Sequence, residues 1–133
     1  MAELLFNGAE DAPVTVALAH GAGAPMDTPF MSSFAEGLAD KDTRVARFEF
    51  PYMVERRETG KKRPPNPARV LLETWNEVID QLGSENLISG GKCMGGRIAS
   101  MVADERKVKG LVCLGYPFHP PGKPEKLRVE HLQ

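Results

Sequence analysis

Apolar positions fall into short blocks separated by glycine, proline and charge, and the blocks alternate between two periods. Residues 14–19, VTVALA, form a nearly continuous apolar run, the pattern of a strand covered on both faces. LLF at 4–6, followed by NGAEDAP, is a candidate earlier strand joined through a turn. A Gly/Pro-rich stretch, GAGAPMDTPF, follows His20 and ends on a helix start, with Thr28 as N-cap and Pro29 at the first helical position. Phe30, Phe34 and Leu38 recur every fourth residue, so 29–40 reads as an amphipathic helix. RVARFEF at 44–50 is the next strand, closed by Pro51, and a long polar loop follows. Asn66-Pro67 repeats the cap-plus-proline start. Leu71, Trp75, Val78, Ile79 and Leu82 then line one face of a helix over 67–82, with Gly83 as its C-terminal cap.

NLIS at 86–89 predicts a third strand, GGKCMGGR a turn into a helix from about 94 to 105, and LVCLGY at 111–116 a fourth strand. Strands that alternate with helices and look buried imply right-handed crossovers. The expected fold class is therefore α/β, a doubly wound, mostly parallel sheet with helices on both faces.

The chain has 133 residues, enough for one domain, and folding would remove roughly two-thirds of its extended surface from water. Seventeen Lys+Arg against eighteen Asp+Glu leave a net charge of −1, which argues against a phosphate-neutralising nucleic-acid binder. No apolar run is long enough to span a bilayer, and MAELLFNGAEDAP lacks the basic start and apolar stretch of a signal peptide. The two cysteines stand twenty positions apart, which makes neither a disulfide framework nor a four-ligand zinc site. The expected compartment is a reducing cytoplasm, with no membrane or nucleic-acid partner, no metal and no organic cofactor indicated.

Candidate chemistry concentrates at Gly91-Lys92-Cys93-Met94-Gly95, between a strand and a helix. This is the G-x-nucleophile-x-G arrangement in its required context, with cysteine at the centre. A sharp strand-to-helix turn forces the central residue into a strained conformation, and the flanking Gly91 and Gly95 let the chain close. The central side chain then stands at a helix N-terminus, where the dipole favours a negatively charged nucleophile. The plain alternative is a tight turn in which Cys93 fills space. His20-Gly21-Ala22-Gly23 follows the first buried strand and faces the same crevice, beyond the carboxyl ends of the strands. Backbone amides of Gly21, Ala22 and Gly23, with that of Met94, are candidates for stabilising an oxyanion. Alternatively the segment is a flexible connection; a phosphate cradle lacks the usual lysine pattern. His20 precedes the loop and reads as its anchor rather than as a base. Cys113 alternates inside an apolar strand and reads as core. Five basic residues in 56–63 read as a solvated loop, or as an anion-attracting rim of the cleft.

Four segments together carry a resemblance: AHGAGAPMDTPFM (19–31), FEFPYM (48–53), GGKCMGGRIASMVA (90–103) and LGYPFHPPGKPEKLR (114–128). They resemble a family of α/β-hydrolases related to dienelactone hydrolases, with a eukaryotic branch in testis-expressed proteins and a histone-acetyltransferase complex subunit. The resemblance implies Cys93 as nucleophile and Gly21, Ala22, Gly23 and Met94 as the oxyanion region. Serine usually fills the nucleophile position in this family, whereas dienelactone hydrolases themselves use a thiol. The implied reaction is hydrolysis of an ester, thioester or lactone of a small-molecule acyl substrate.

In this fold the acid and the histidine of the triad follow later strands. The single domain 1–133 therefore reads as an incomplete α/β-hydrolase fold, truncated after the strand at 111–116, with weak or no turnover expected of it alone. That strand would then be an exposed apolar edge, open to a second copy or to a separate C-terminal fragment. His119 follows the same strand, so a Cys93–His119 dyad is geometrically conceivable, although Pro117, Pro120 and Pro121 describe a rigid surface loop. The alternative function is a non-enzymatic, hydrolase-like scaffold that binds a protein partner.

Overall fold

A five-stranded sheet organises the molecule, and a computed structural model describes residues 2–115 of it. In chain order the elements are β1 (Leu5–Asn7), β2 (Val14–Ala19), α1 (Pro29–Leu38), β3 (Thr43–Phe48) and α2 (Pro51–Thr59). They continue with α3 (Ala68–Leu82), β4 (Leu87–Lys92), α4 (Met94–Ala103) and β5 (Gly110–Leu114). The strands lie in the order β1-β3-β2-β4-β5. β2 pairs in parallel with both β3 and β4, and β4 in parallel with β5, while the short β1 runs antiparallel along β3. The fold class is the expected one.

Alternation along β2 divides the core into two layers, because successive side chains leave a strand on opposite faces. Val16 and Leu18 pack with Val45 and with Met31 and Ala35 of α1 on one face. Ala17 and Ala19 meet Phe48, Trp75, Ile98 and Ala99 on the other, beneath α3 and α4. Trp75 is fully buried, stands edge-on to Phe48 with ring centroids 4.8 Å apart, and donates from Nε1 to the Gly95 carbonyl at 3.2 Å. That bond ties α3 to the first turn of α4.

The chain leaves β2 to one side through α1 and β3, then returns past β2 to reach β4. Strand order thus reverses beside β2, the place where open α/β sheets form their binding crevice. Ala19 sits in register with Phe48 and with Gly91, so the segments after β2, β3 and β4 all emerge at one end of the sheet.

Three expectations are corrected. Residues 51–59 are helix α2 rather than loop: Pro51 starts the helix instead of merely closing a strand, and Gly60 ends it in the left-handed region at φ 74°. Asn66 does not cap α3; its Oδ1 accepts from the Tyr52 N–H of α2 at 2.9 Å, and Pro67 stands at the α3 cap. β4 runs on through Gly90, Gly91 and Lys92, where the glycines suggested that the turn had already begun. A Cβ on Gly90 would lie 2.5 Å from the Val112 carbonyl oxygen, so that glycine serves the β4–β5 approach instead. β5 is the edge strand among the described residues, with Leu111 and Val112 more than a third exposed. No helix among the described residues is long and apolar enough to cross a membrane.

Candidate active site

Cys93 stands between β4 and α4 as the N-terminal cap of the helix, with φ 50° and ψ −114°. Few side-chain-bearing residues adopt such a backbone, and backbone hydrogen bonds on both sides of the residue hold it there. Its N–H donates to the Leu114 carbonyl at 2.9 Å and its carbonyl accepts from the Arg97 N–H at 2.9 Å. A Cβ on Gly91 would fall 2.7 Å from the Ala19 carbonyl oxygen, and one on Gly95 would fall 2.3 Å from that of His20. Both flanking positions therefore exclude any side chain. Met94 opens α4, so its N–H is among the amides that a helix leaves without an intrahelical partner. The thiol is half-buried and free, and a Cβ on Gly115 would lie 3.6 Å from its Sγ. Gly115 was not singled out from sequence; only its place at the carboxyl end of a strand marks it.

The segment after β2 reaches the same place. A Cβ on Gly21 would lie 3.7 Å from Cys93 Cβ and 3.4 Å from the Lys92 carbonyl oxygen. Between the two segments opens a cavity of about 290 Å³, lined by residues 21–25, Thr28, Met31, Lys92 and Cys93. Sequence reasoning thus named residues that the fold brings together: Gly21, Ala22, Gly23 and Cys93 share one cavity, with Gly91, Met94 and Gly95 shaping the turn. Lys92 extends its Nζ over the Phe30 ring, 5.1 Å from the centroid. A larger groove of about 560 Å³ lies between α2 and α3, but its lining holds no cysteine, serine or histidine. His119 lies outside the described residues. Among those described, no three His, Cys, Asp or Glu side chains gather as a metal ion would require.

His20 is fully buried and anchors the loop. Its Nε2 accepts from the Phe50 N–H at 3.1 Å, which leaves the proton on Nδ1, 2.6 Å from the Gly21 carbonyl oxygen. Burial holds its basicity below the ordinary value of 6.5, against smaller opposing effects of the Gly21 bond and of Glu49. A folded state that resists protonation while the unfolded chain accepts it loses stability as pH falls below that unfolded value. The slope approaches about 1.4 kcal/mol per pH unit down to the lowered pKa. Urea melts at pH 7 and pH 5 should show this loss, and His20→Gln should flatten it; an equal slope in the variant would refute the assignment.

The residues that sequence reasoning missed lie on α2. Tyr52 Oη donates to the Ala22 carbonyl at 2.8 Å, and Arg56 Nη1 donates to the Gly23 carbonyl at 3.0 Å. Arg57 grips the nearly buried Glu49 with two donors, at 2.6 and 2.7 Å, and reaches Asp27 at 2.5 Å. Glu49 also accepts from the Met26 N–H at 3.1 Å. The Arg57 bond holds the Asp27 carboxyl below its usual range. Arg56 and Arg57 thus stand on a helix rather than in a loop, and their side chains engage the Gly23 carbonyl and the Glu49 and Asp27 carboxylates. The signal that could have found them is Tyr52 and Arg56 at i,i+4 spacing after a proline that opens a helix. Cys113 is only partly buried; its thiol donates to the Gly96 carbonyl at 3.4 Å, and burial raises its pKa.

A family model described as an alpha/beta hydrolase domain matches residues 12–133. Among solved structures, an α/β serine hydrolase without lid from Xanthomonas campestris superposes with a TM-score of 0.62 at 15% identity, covering 88% of this chain and 56% of that one. A lipase-esterase related protein from Clostridium acetobutylicum gives 0.61 at 18% identity, covering 85% and 46%. The monoacylglycerol lipase of Paleococcus ferrophilus gives 0.57 at 20% identity, covering 85% and 42%. The chain spans about half the length of these proteins.

Proposed function

The chain belongs to the alpha/beta hydrolase domain family, and from that premise we propose that it carries the nucleophile and oxyanion half of an ester, thioester or lactone hydrolase of dienelactone-hydrolase type. The observation that supports this reading is how near Gly21 lies to the turn, where a Cβ on it would stand 3.7 Å from Cys93 Cβ, beside a cavity lined by both segments. In the proposed reaction the Cys93 thiol gives its proton to solvent water and Sγ attacks the carbonyl carbon of a short acyl substrate. A C–S bond forms and the carbonyl electron pair moves to oxygen. Amides of loop 21–24 and of Met94 stabilise that oxyanion. Collapse expels the alkoxide or thiolate leaving group with its electron pair, which takes a proton from water, and leaves an acyl thioester on Cys93. Water then releases the acid, a step that needs a histidine to activate it. His20 does not serve, since both its ring nitrogens are engaged. His119 is the candidate within this chain, and the family pattern supplies acid and histidine from later strands.

Acylation and release should therefore separate. Purified 1–133 mixed with p-nitrophenyl acetate should give a burst of about one p-nitrophenolate per chain, followed by weak turnover or none. The absence of a burst would overturn the reading, and sustained rapid hydrolysis would overturn its second half. The second reading, a partner-binding scaffold, draws on the exposed Leu111 and Val112 of β5, which could accept a strand from a second copy or a C-terminal fragment. That scaffold would show no burst.

A further inference from the structure

Three consecutive carbonyls, those of Gly21, Ala22 and Gly23, are each held from one side. His20 Nδ1 holds the first, Tyr52 Oη the second and Arg56 Nη1 the third, while Tyr52 Oη also stands 3.4 Å from the Gly21 oxygen. In a trans peptide the C=O of one residue and the N–H of the next point in opposite directions, and the described residues contain no cis peptide. Fixing these carbonyls toward His20 and α2 therefore turns the N–H groups of Ala22, Gly23 and Ala24 the other way. The cavity beside Cys93 is lined by residues 21–25 and by no residue of α2, as expected if these amides face it.

We propose that Tyr52 and Arg56 are positioning residues, through which α2 clamps the loop carbonyls so that successive amides face the acyl oxygen at Cys93. The inference rests on Cys93 being the nucleophile and adds what orders its oxyanion donors. Catalytic hydrogen bonds of this kind gain from donors aligned before the charge develops, because no reorganisation is then needed. Glycine-rich backbone has the freedom to turn its amides away, so the alignment must come from outside the loop. Tyr52 suits the task. It is almost fully buried, and burial pushes its phenol up to about 12, so the hydroxyl stays a donor across the working range. Arg56 offers a guanidinium, which grips a carbonyl where a neutral donor would bind more weakly.

Two rates on the same sulfur test this. Acetylation by p-nitrophenyl acetate passes through an oxyanion, whereas alkylation by iodoacetamide does not. Tyr52→Phe removes one hydroxyl and is expected to slow the acetylation burst about tenfold, short of the roughly 100-fold typical when an oxyanion donor itself is lost. Alkylation should stay within about twofold of wild type, since no oxyanion donor takes part in it. Arg56 makes its bond at the exposed surface, so Arg56→Gln should fold normally and slow acetylation alone, with Arg56→Lys restoring part of the rate. Unchanged acetylation in both Tyr52→Phe and Arg56→Gln overturns the clamp, as does an equal fall in both rates. Wild-type protein that alkylates at Cys93 yet never acetylates there overturns the nucleophile reading beneath it, an outcome visible before any variant is made.

Discussion

Gly95→Ala is expected to destabilise the protein by about 3 kcal/mol or more, while Gly37→Ala should be neutral or stabilising by up to about 1 kcal/mol. The two glycines lie in different helices and face different surroundings. A Cβ at 95 would stand 2.3 Å from the His20 carbonyl oxygen and 2.8 Å from Ala19 Cβ. Those atoms belong to the buried central strand and the residue that leaves it, so no rotamer change relieves the overlap. Instead α4 must lift from β2, which also draws the Gly95 carbonyl away from Trp75 Nε1. At Gly37, inside α1, an added Cβ meets nothing within 4 Å, and alanine lowers the entropy of the unfolded chain. Denaturant melts of the two variants measure the contrast. A Gly95→Ala protein within about 1 kcal/mol of wild type would mean that the close approach of α4 to β2 does not hold the turn.

Cys93→Ser should keep the fold and lose acylation by roughly 1,000-fold or more. The exchange replaces one sulfur by oxygen in the same strained backbone, so the melting temperature should stay within about 3 °C. What changes is the demand for a base. A thiol is nucleophilic through a small thiolate fraction at neutral pH, whereas a serine hydroxyl depends on a neighbouring histidine to take its proton. Among the described residues the only histidine is His20, and its two nitrogens already serve Phe50 and Gly21. A serine variant that acylates within about tenfold of wild type would show that a base is in place and that the account of deacylation is wrong.

The parts of this molecule that could be read from its sequence are those in which neighbours in the chain are also neighbours in space. VTVALA announces a strand covered on both faces, and the Thr28-Pro29 start of α1 holds: Thr28 Oγ1 accepts from the Met31 N–H at 3.3 Å. The spacing of Leu71, Trp75, Val78 and Ile79 gave the buried face of α3. Pairing the GKCMG turn with the HGAG loop was also legible, because both follow parallel strands and therefore leave the same end of the sheet. Helix α2 was not. Only Tyr52 and Met53 of its nine residues are buried, too few to set a helical period, and its charges look solvated in one dimension. Their partners lie 30 or more residues upstream, at Asp27 and Gly23, or across a strand end at Glu49. Asn66 misled for a related reason: it does cap a helix start, but that of α2 rather than the helix it precedes. The antiparallel direction of β1 depended on Leu5 meeting Arg47 across the sheet edge, a contact no local pattern records.

The most direct test is to map where the acyl group lands. Purified protein is quenched early in its reaction with p-nitrophenyl acetate, digested under conditions that preserve thioesters, and its peptides sequenced by mass spectrometry. One acetyl group on the peptide carrying Cys93, present before any lysine is modified, is the predicted result. Cys93 left unmodified, and still open to iodoacetamide while acetyl groups accumulate on surface lysines, would contradict it.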